Sequence, residues 1–493
     1  MLRFRPVDAL TPYAGYSLAD LSRRGKPISQ EGVSEIATRV LGHPDAPRLD
    51  LAAARIGTDG AVVFSDGRLE RAEDEFCLSL GLTLASLAHG QPPHMSWLLD
   101  GIPRPEAVSW QLAHFMRCLS DPVRSRRTSS LDAARSLLKH AAPYDNAAQH
   151  PWRCFRGDPV RCGVSTDELK GSTIAVKWYR QHTEILASPV VVGSGFLLVV
   201  TSAGRLLTID ADNGEVAFEL ALGAATESTA AICNGRAYLG ADDGVLYCID
   251  IASGSLAWKK KLGAMIRSSP LATGSSVYVG TIDGPERGAM FCTDASKGKP
   301  VWSYKCQEVF SSAALVGDST ISFGSDDGSI HSLDTGSGRL LWKVPTGTKV
   351  RATPAAATGL YVGSFDGCLY SIAADGSVRW KRETGKPYFS SPAVGASIVS
   401  CGSHDGHIYA FDRATGEVRW KYFTGGPVVS SPVITSSELT VAASTSGAIV
   451  VLDPAGSPVA SFALGKTIRS SPLVMNGSIF AGHEAGLTCL SLR

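Results

Sequence analysis

A short Ser-Ser-Pro phrase returns along this chain and constrains what it can fold into more than any other feature. "IRSSPLA" stands at 266–272, "FSSPAV" at 389–394, "VSSPVI" at 429–434 and "IRSSPLV" at 468–474. Phased on that phrase, the sequence falls into units of about 40 residues, a period at which each unit is a small sheet that buries its faces only against its neighbours. The unit at 386–425, "KPYFSSPAVGASIVSCGSHDGHIYAFDRATGEVRWKYFTG", reads as four short strands. "FSSPAV" opens the first and "SIVSCGS" is the second; a "DG" turn leads into "HIYAFD", and "RATG" turns into "EVRWKYF". Asp-Gly tolerates the positive φ of a two-residue hairpin. The Asp of "FDRATG" can accept from amides two residues on, while the Gly closes the loop.

Eight units open in this way, at "ILASP" (185–189), "TESTA" (226–230), "IRSSP" (266–270), "FSSAA" (310–314), "RATP" (351–354), "FSSP" (389–392), "VSSP" (429–432) and "IRSSP" (468–472). Their fourth strands carry Trp258, Trp302, Trp342, Trp380 and Trp420, with Phe218 in unit one and Ala460 in unit seven. Unit eight reaches Arg493 with three strands. "TIAVKWYRQ" (173–181) precedes unit one and carries Trp178 at the matching distance, so this segment is expected to complete the last unit and close a ring without a free sheet edge. The fold expected for 172–493 is an all-β, eight-bladed β-propeller.

These units resemble the PQQ-like propeller repeat family, the matching phrase being "SSP…GS.DG.IYAFD..TGEVRW". That family includes quinoprotein dehydrogenases, outer-membrane assembly lipoproteins, kinase sensor domains and tails of some adenylate-forming enzymes, so the resemblance implies a fold and leaves the function open. The dehydrogenases resemble one another in a vicinal disulfide and a Ca²⁺ site. The 11 cysteines here include no adjacent pair, and no cofactor is expected.

Residues 1–142 have a different texture, with helical periodicity in "SQEGVSEIATRVL" (29–41), "LSLGLTLASLAHG" (78–90), "PEAVSWQLAHFMRCL" (105–119) and "SLDAARSLLKHA" (130–141). Val33, Ile36, Val40 and Leu41 share one face of the first, behind Ser29 as N-cap. In order, "PYAGYSLADLSRRGKPIS", "PRLDLAAARIGTDGAVVFSDGRLER", "LSLGLTLASLAHGQPP" and "MRCLSDPVRSRRTSSLDAARSLL" resemble the C-terminal lobe of a protein kinase. The resemblance implies a smaller, mainly α domain with degenerate catalytic positions. Asp50 falls at the base, Ala52 replaces the loop lysine, Arg55 stands where Asn would hold metal, and Asp66 keeps the metal aspartate within "DGR". Without the Gly-rich loop, lysine and asparagine that hold Mg-ATP, transfer of phosphate is not expected.

The stretch 143–171 combines Pro, Gly and polar residues without a period and reads as a linker. Cys154 and Cys162 within it lack the spacing and partner ligands of a metal site, and His404 and His407 flank a turn without a third ligand. The residues preceding the Ser-Ser-Pro positions include Arg267, Arg351 and Arg469, which would rim one mouth of the ring. Their planar forks suit a carboxylate or phosphate, or else pair with loop carboxylates of the chain itself.

A net charge of +1 gives no general attraction to nucleic acid or an anionic membrane, and neither is expected as a partner. "MLRFRPVDALTPYAG" has no apolar stretch of a secretory signal, and scattered cysteines suit a reducing compartment, so a cytoplasmic location is expected. The function expected is non-catalytic: a scaffold or sensor, a pseudokinase remnant joined to a propeller, that binds a protein partner through an acidic or phosphorylated segment. The domain order resembles bacterial Ser/Thr kinases that carry such a propeller. The alternatives are a regulatory or substrate-presenting subunit beside an adenylate-forming enzyme and a residual nucleotide-binding sensor.

Overall fold

The structure, a computed structural model, describes residues 152–493 except Ser194, and before them Leu2–Arg3, Gln30–Gly42, Arg55–Ile56, Val62–Phe64, Leu80, 82–85, Trp110–Ser120 and Ala134. The chain divides into two compact units: Met1–Asp145 with Ala252–Gly254, and the remainder.

In the first unit the helix Gln30–Gly42 buries Val33, Ile36, Val40 and Leu41, the four residues its periodicity places on one face. A second helix, Trp110–Ser120, buries Leu112, Phe115, Met116 and Leu119. Leu2–Arg3, Val62–Phe64 and Arg55–Ile56 form a three-stranded antiparallel sheet with the 62–64 strand in the middle. Arg55 begins one of these strands; Asp50, Ala52 and Asp66 lie outside the described residues.

The second unit is a ring of eight four-stranded antiparallel sheets. Blade 3 shows the plan, its strands running outward as Leu271–Thr273, Ser276–Gly284, Arg287–Asp294 and Pro300–Cys306. The second and third strands lie between neighbouring blades and are buried on both faces, as in Ile398–Gly402, where every residue is buried. The fourth strands face solvent on one side and alternate, as in Val418–Phe423. Blade 8 takes its outer strand, Ile174–Gln181, from the start of the ring: it pairs with Gly486–Leu492, and the amides of Ser172 and Thr173 both donate to the Arg493 carbonyl at 3.0 Å.

Adjacent blades are pinned at the outside by tryptophan. The indole Nε1 of Trp302 donates to Thr335 O at 2.9 Å, and a Cβ at Gly338 of that neighbouring turn would come within 2.6 Å of the ring. Trp178, Trp258, Trp342, Trp380 and Trp420 repeat the contact, each to a backbone carbonyl of the next blade's last turn. A register shift between the third and fourth strands falls beside each of these tryptophans, as between Cys292 and Thr293 opposite Trp302. Such a bulge re-aims the side chain next to it. Ala460 stands at this position in blade 7, where the next blade has no continuous turn to receive an indole, because its last two strands are joined by pairing and not by chain.

The expectation of a linker over 143–171 is corrected from Trp152 onward. Residues 152–165 cross the end of the central channel and bond to the first strands in turn. The carbonyls of Trp152, Arg153, Pro159, Val160, Cys162 and Gly163 accept from Val191, Ile232, Leu315, Ala356, Val394 and Ile434 of blades 1, 2, 4, 5, 6 and 7. Arg161 donates to Pro270 O of blade 3, and Ser165 Oγ to Val474 O of blade 8. The segment is a hub that touches all eight blades. Its lack of period has a physical reason: its backbone bonds one blade after another around a circle, which imposes neither a helical nor a strand repeat on its side chains.

Candidate functional site

The hub closes one end of the channel, and the Ser-Ser-Pro phrases line what remains. The first hydroxyl ties blades together in several phrases: Ser311 Oγ donates to Ala352 O of the next blade at 3.0 Å and accepts from Gly324 N of its own at 3.1 Å. Ser228 does the same toward Ser268 O and Gly240 N, and Ser470 reaches Ala187 O across the closure. The glycine is required by contact, since a Cβ at Gly402 would stand 2.2 Å from Val428 Cγ1 of the adjoining blade.

The second hydroxyl builds a ring. The amides of Ser188, Thr229, Ser269, Ser312, Thr353, Ser391 and Ser431 each donate to the hydroxyl of the following blade, from Thr229 round to Ser471, at 2.8–3.0 Å. These eight hydroxyl-bearing residues are all at least nine-tenths buried. They line a cavity of about 170 Å³ with Phe155 of the hub, and the eight residues preceding the phrases form its mouth.

Arg267, Arg351 and Arg469 therefore stand at one mouth, with Leu186, Glu227, Phe310, Phe389 and Val429. Each arginine has a carboxylate of its own chain. Arg351 meets Asp326 at 2.6 Å, where Lys349 also reaches at 3.2 Å. Arg267 meets Glu227 at 2.9 Å and Asp242 at 3.1 Å, and Arg469 approaches Glu184 at 3.4 Å. Burial pushes the Glu227 carboxyl up, with Arg267 opposing it. The four bases and four acids of these contacts balance.

The mouth has two unlike sides. Across blades 4–6 the Arg351 guanidinium lies 3.9 Å over the Phe310 ring, Phe365 and Phe389 meet at 4.2 Å, and Phe389 stacks on His404 at 4.7 Å. Burial pushes the His404 imidazole down, in the direction of its neutral form. The Arg267 and Arg469 ion pairs occupy the opposite side, from blade 8 round to blade 3, while the Arg351–Asp326 pair sits among the rings. His407 turns elsewhere, onto Phe423 and Tyr409, so the two histidines of this turn serve different packings.

Within the hub Arg161 is fully buried and donates to Ala313 O, Phe155 O and Pro270 O at 3.1, 2.6 and 2.8 Å. Arg156 donates to Pro392 O at 3.0 Å, and burial pulls its guanidinium down to about 10. Cys154 and Cys162 have separate partners, Gly157 O and Asp158 Oδ2, and burial pushes the Cys162 thiol up to about 12. Sequence reasoning missed this cluster. The available signal was two arginines and two cysteines spaced against Gly157 and Gly163 in a stretch otherwise without period.

An eight-bladed propeller with Ser-Ser-Pro inner strands and tryptophan-pinned seams is a ring built from PQQ-type repeats. The family model described as "Outer membrane protein assembly factor BamB" matches residues 164–284, 226–326, 261–357 and 326–493, and the chain belongs to this family. A curated relative of that name from Burkholderia pseudomallei (strain K96243) is 29% identical over 89 residues, which are 18% of this chain and 23% of the relative. The crystal structure of BamB from Moraxella catarrhalis is similar with a TM-score of 0.56 at 19% identity, over 64% of this chain and 99% of that one. A quinohemoprotein alcohol dehydrogenase from Pseudomonas putida HK5 reaches 0.59 at 13% identity, over 70% and 80%. At these identities the structural likeness shows the fold alone.

Proposed function

We propose that this protein is a non-catalytic interaction module whose propeller receives a segment of a partner protein at the open mouth of the channel. The observation that carries the reading is the one-ended channel. With the hub across one end, the half-exposed side chains of all eight blades converge on the other, and they offer a partner aromatic faces around the Arg351 pair on one side and ion pairs alone on the other. Half-buried aromatic and arginine groups are the side chains that anchor protein interfaces. The family description, an assembly factor, accords with a binding role. In this reading the N-terminal unit is a kinase-C-lobe-like remnant used as a second surface, and the protein works in the cytoplasm. The first point rests on the sequence motifs, the second on cysteines that are scattered as suits a reducing compartment.

The arginine pairs refine what the partner must bring. Because each fork already has a carboxylate, an acidic or phosphorylated segment exchanges ion pairs at the mouth and adds no net charge neutralisation. Its grip then comes from the aromatic side and from what lies deeper. A photo-crosslinking residue placed at Phe389 or Val429 in cells should capture the same partner, and one at Val301 on the outer face should not. A partner captured equally well from Val301 would overturn the reading.

A further inference from the structure

Below the charged rim, the ring of second hydroxyls has a donor capacity that the fold does not use. Seven of the eight oxygens accept a backbone N–H from the preceding blade. Among the described residues no protein atom accepts from any of the eight O–H groups; the donors of the phrases are the first hydroxyls, such as Ser311 and Ser470. A hydroxyl that accepts a hydrogen bond becomes a stronger donor through it. Each polarised O–H is at least nine-tenths buried, and all surround a cavity of about 170 Å³ with an apolar floor at Phe155. Water requires about 30 Å³ per molecule, so the space suits a handful of waters or one oxyanion-bearing group.

We propose that this hydroxyl ring is a binding site for an oxyanion, a carboxylate or a phosphoryl group, that enters through the mouth. The inference rests on the mouth being a docking site and names the chemistry held beneath it. The hydroxyls favour an anion over a cation because their N–H bonds occupy oxygen lone pairs and leave protons to offer. Arg267, Arg351 and Arg469 act as a threshold: their forks, set in balanced pairs, carry the group inward without trapping it at the surface. The oxyanion reaches the ring either on a partner's side chain or as a free ion, and the two sources give the same contacts.

Three probes test it on the full chain by calorimetry: inorganic phosphate, a phosphoserine peptide and the corresponding glutamate peptide. Ser391→Ala/Ser431→Ala removes two donors and should weaken phosphate binding about tenfold or more. Thr353→Ser keeps the hydroxyl and should leave binding unchanged. Ser391 and Ser431 also hold blades together, so Val429→Trp, which roofs the cavity and spares every inter-blade bond, gives an independent loss if the double variant does not fold. Peptide binding that both variants abolish, with no binding of free phosphate, supports the ring with a side chain as the source. Free phosphate binding without peptide binding keeps the ring and removes the partner reading. Peptide binding that neither variant alters keeps the partner reading and overturns the ring, as does wild-type protein that binds none of the three.

Discussion

Replacing Arg161 probes whether the hub fastens the propeller or only fills its channel. Its guanidinium donates to three carbonyls, on Ala313, Phe155 and Pro270, with no water-exposed surface. Arg161→Met keeps most of the volume and leaves those acceptors without a donor, at about 1–3 kcal/mol each. A carbonyl oxygen with a second lone pair sits at the low end of that range, and removing a buried cation returns part of the desolvation cost. A net loss of about 3–5 kcal/mol follows. Unfolding of roughly 340 residues carries an entropy near 0.7 kcal/mol/K, so the midpoint should fall by about 4–7 °C. Differential scanning calorimetry of the wild type and of Arg161→Met measures this directly. Limited proteolysis should also show earlier cleavage within 152–171 in the variant. A melting point within about 1 °C of the wild type would refute the idea that the hub contributes to stability.

Other perturbations follow from the blade seams and turns. Trp302→Ala removes an indole bonded to Thr335 O and should cost about 3–5 kcal/mol by thermal denaturation, while Ala460→Trp should not stabilise because blade 8 has no turn to receive it. Gly402→Ala should destabilise by about 1–3 kcal/mol through its contact with Val428, and adding Val428→Ala should recover part of the loss in a double-mutant cycle. Burial pushes the Asp327 carboxyl up, but hydrogen bonds from His331 and Lys343 outweigh it and hold the group at about 2. A carboxyl depressed in the folded state contributes stability above its unfolded pKa, near 4, and loses it as pH falls toward 2. The drop in melting temperature between pH 5 and pH 2.5 should therefore be smaller in Asp327→Asn than in the wild type.

Much of the ring was legible because its determinants are local and repeated. Strand lengths, the DG hairpins and the fourth-strand tryptophans recur in register, so each unit corroborates the others, and the three-strand count after 468 pointed to 173–181 as the missing strand. The convergence of Arg267, Arg351 and Arg469 also followed, because equivalent positions in a ring must face one axis. Pairing with loop carboxylates was one of the two readings the sequence offered, but which carboxylates was not legible, since Asp242 and Asp326 come from turns 25 residues upstream in a different blade. The bulge beside each tryptophan was equally hidden, as it is a property of pairing and not of composition. Residues 152–165 were read as a linker because non-repeating backbone bonds leave no pattern.

The joint between the Ile174–Gln181 and Gly486–Leu492 strands has a consequence for biosynthesis. It couples residues about 300 positions apart, and closing so long a loop costs roughly 5 kcal/mol of chain entropy before any contact forms. On the ribosome, 174–181 emerges about 300 residues before its partner and stays unpaired until Gly486–Leu492 has been made. During that interval it is an unpaired strand with Val176 and Tyr179 on its outer face. Blades 1 to 7 can assemble in sequence, but the wheel stays open until Gly486–Leu492 has been made, and a chain without that strand has two sheet edges at once. Closure is thereby all or none: a ring that lacks only this strand is as exposed at its edges as one that lacks several blades.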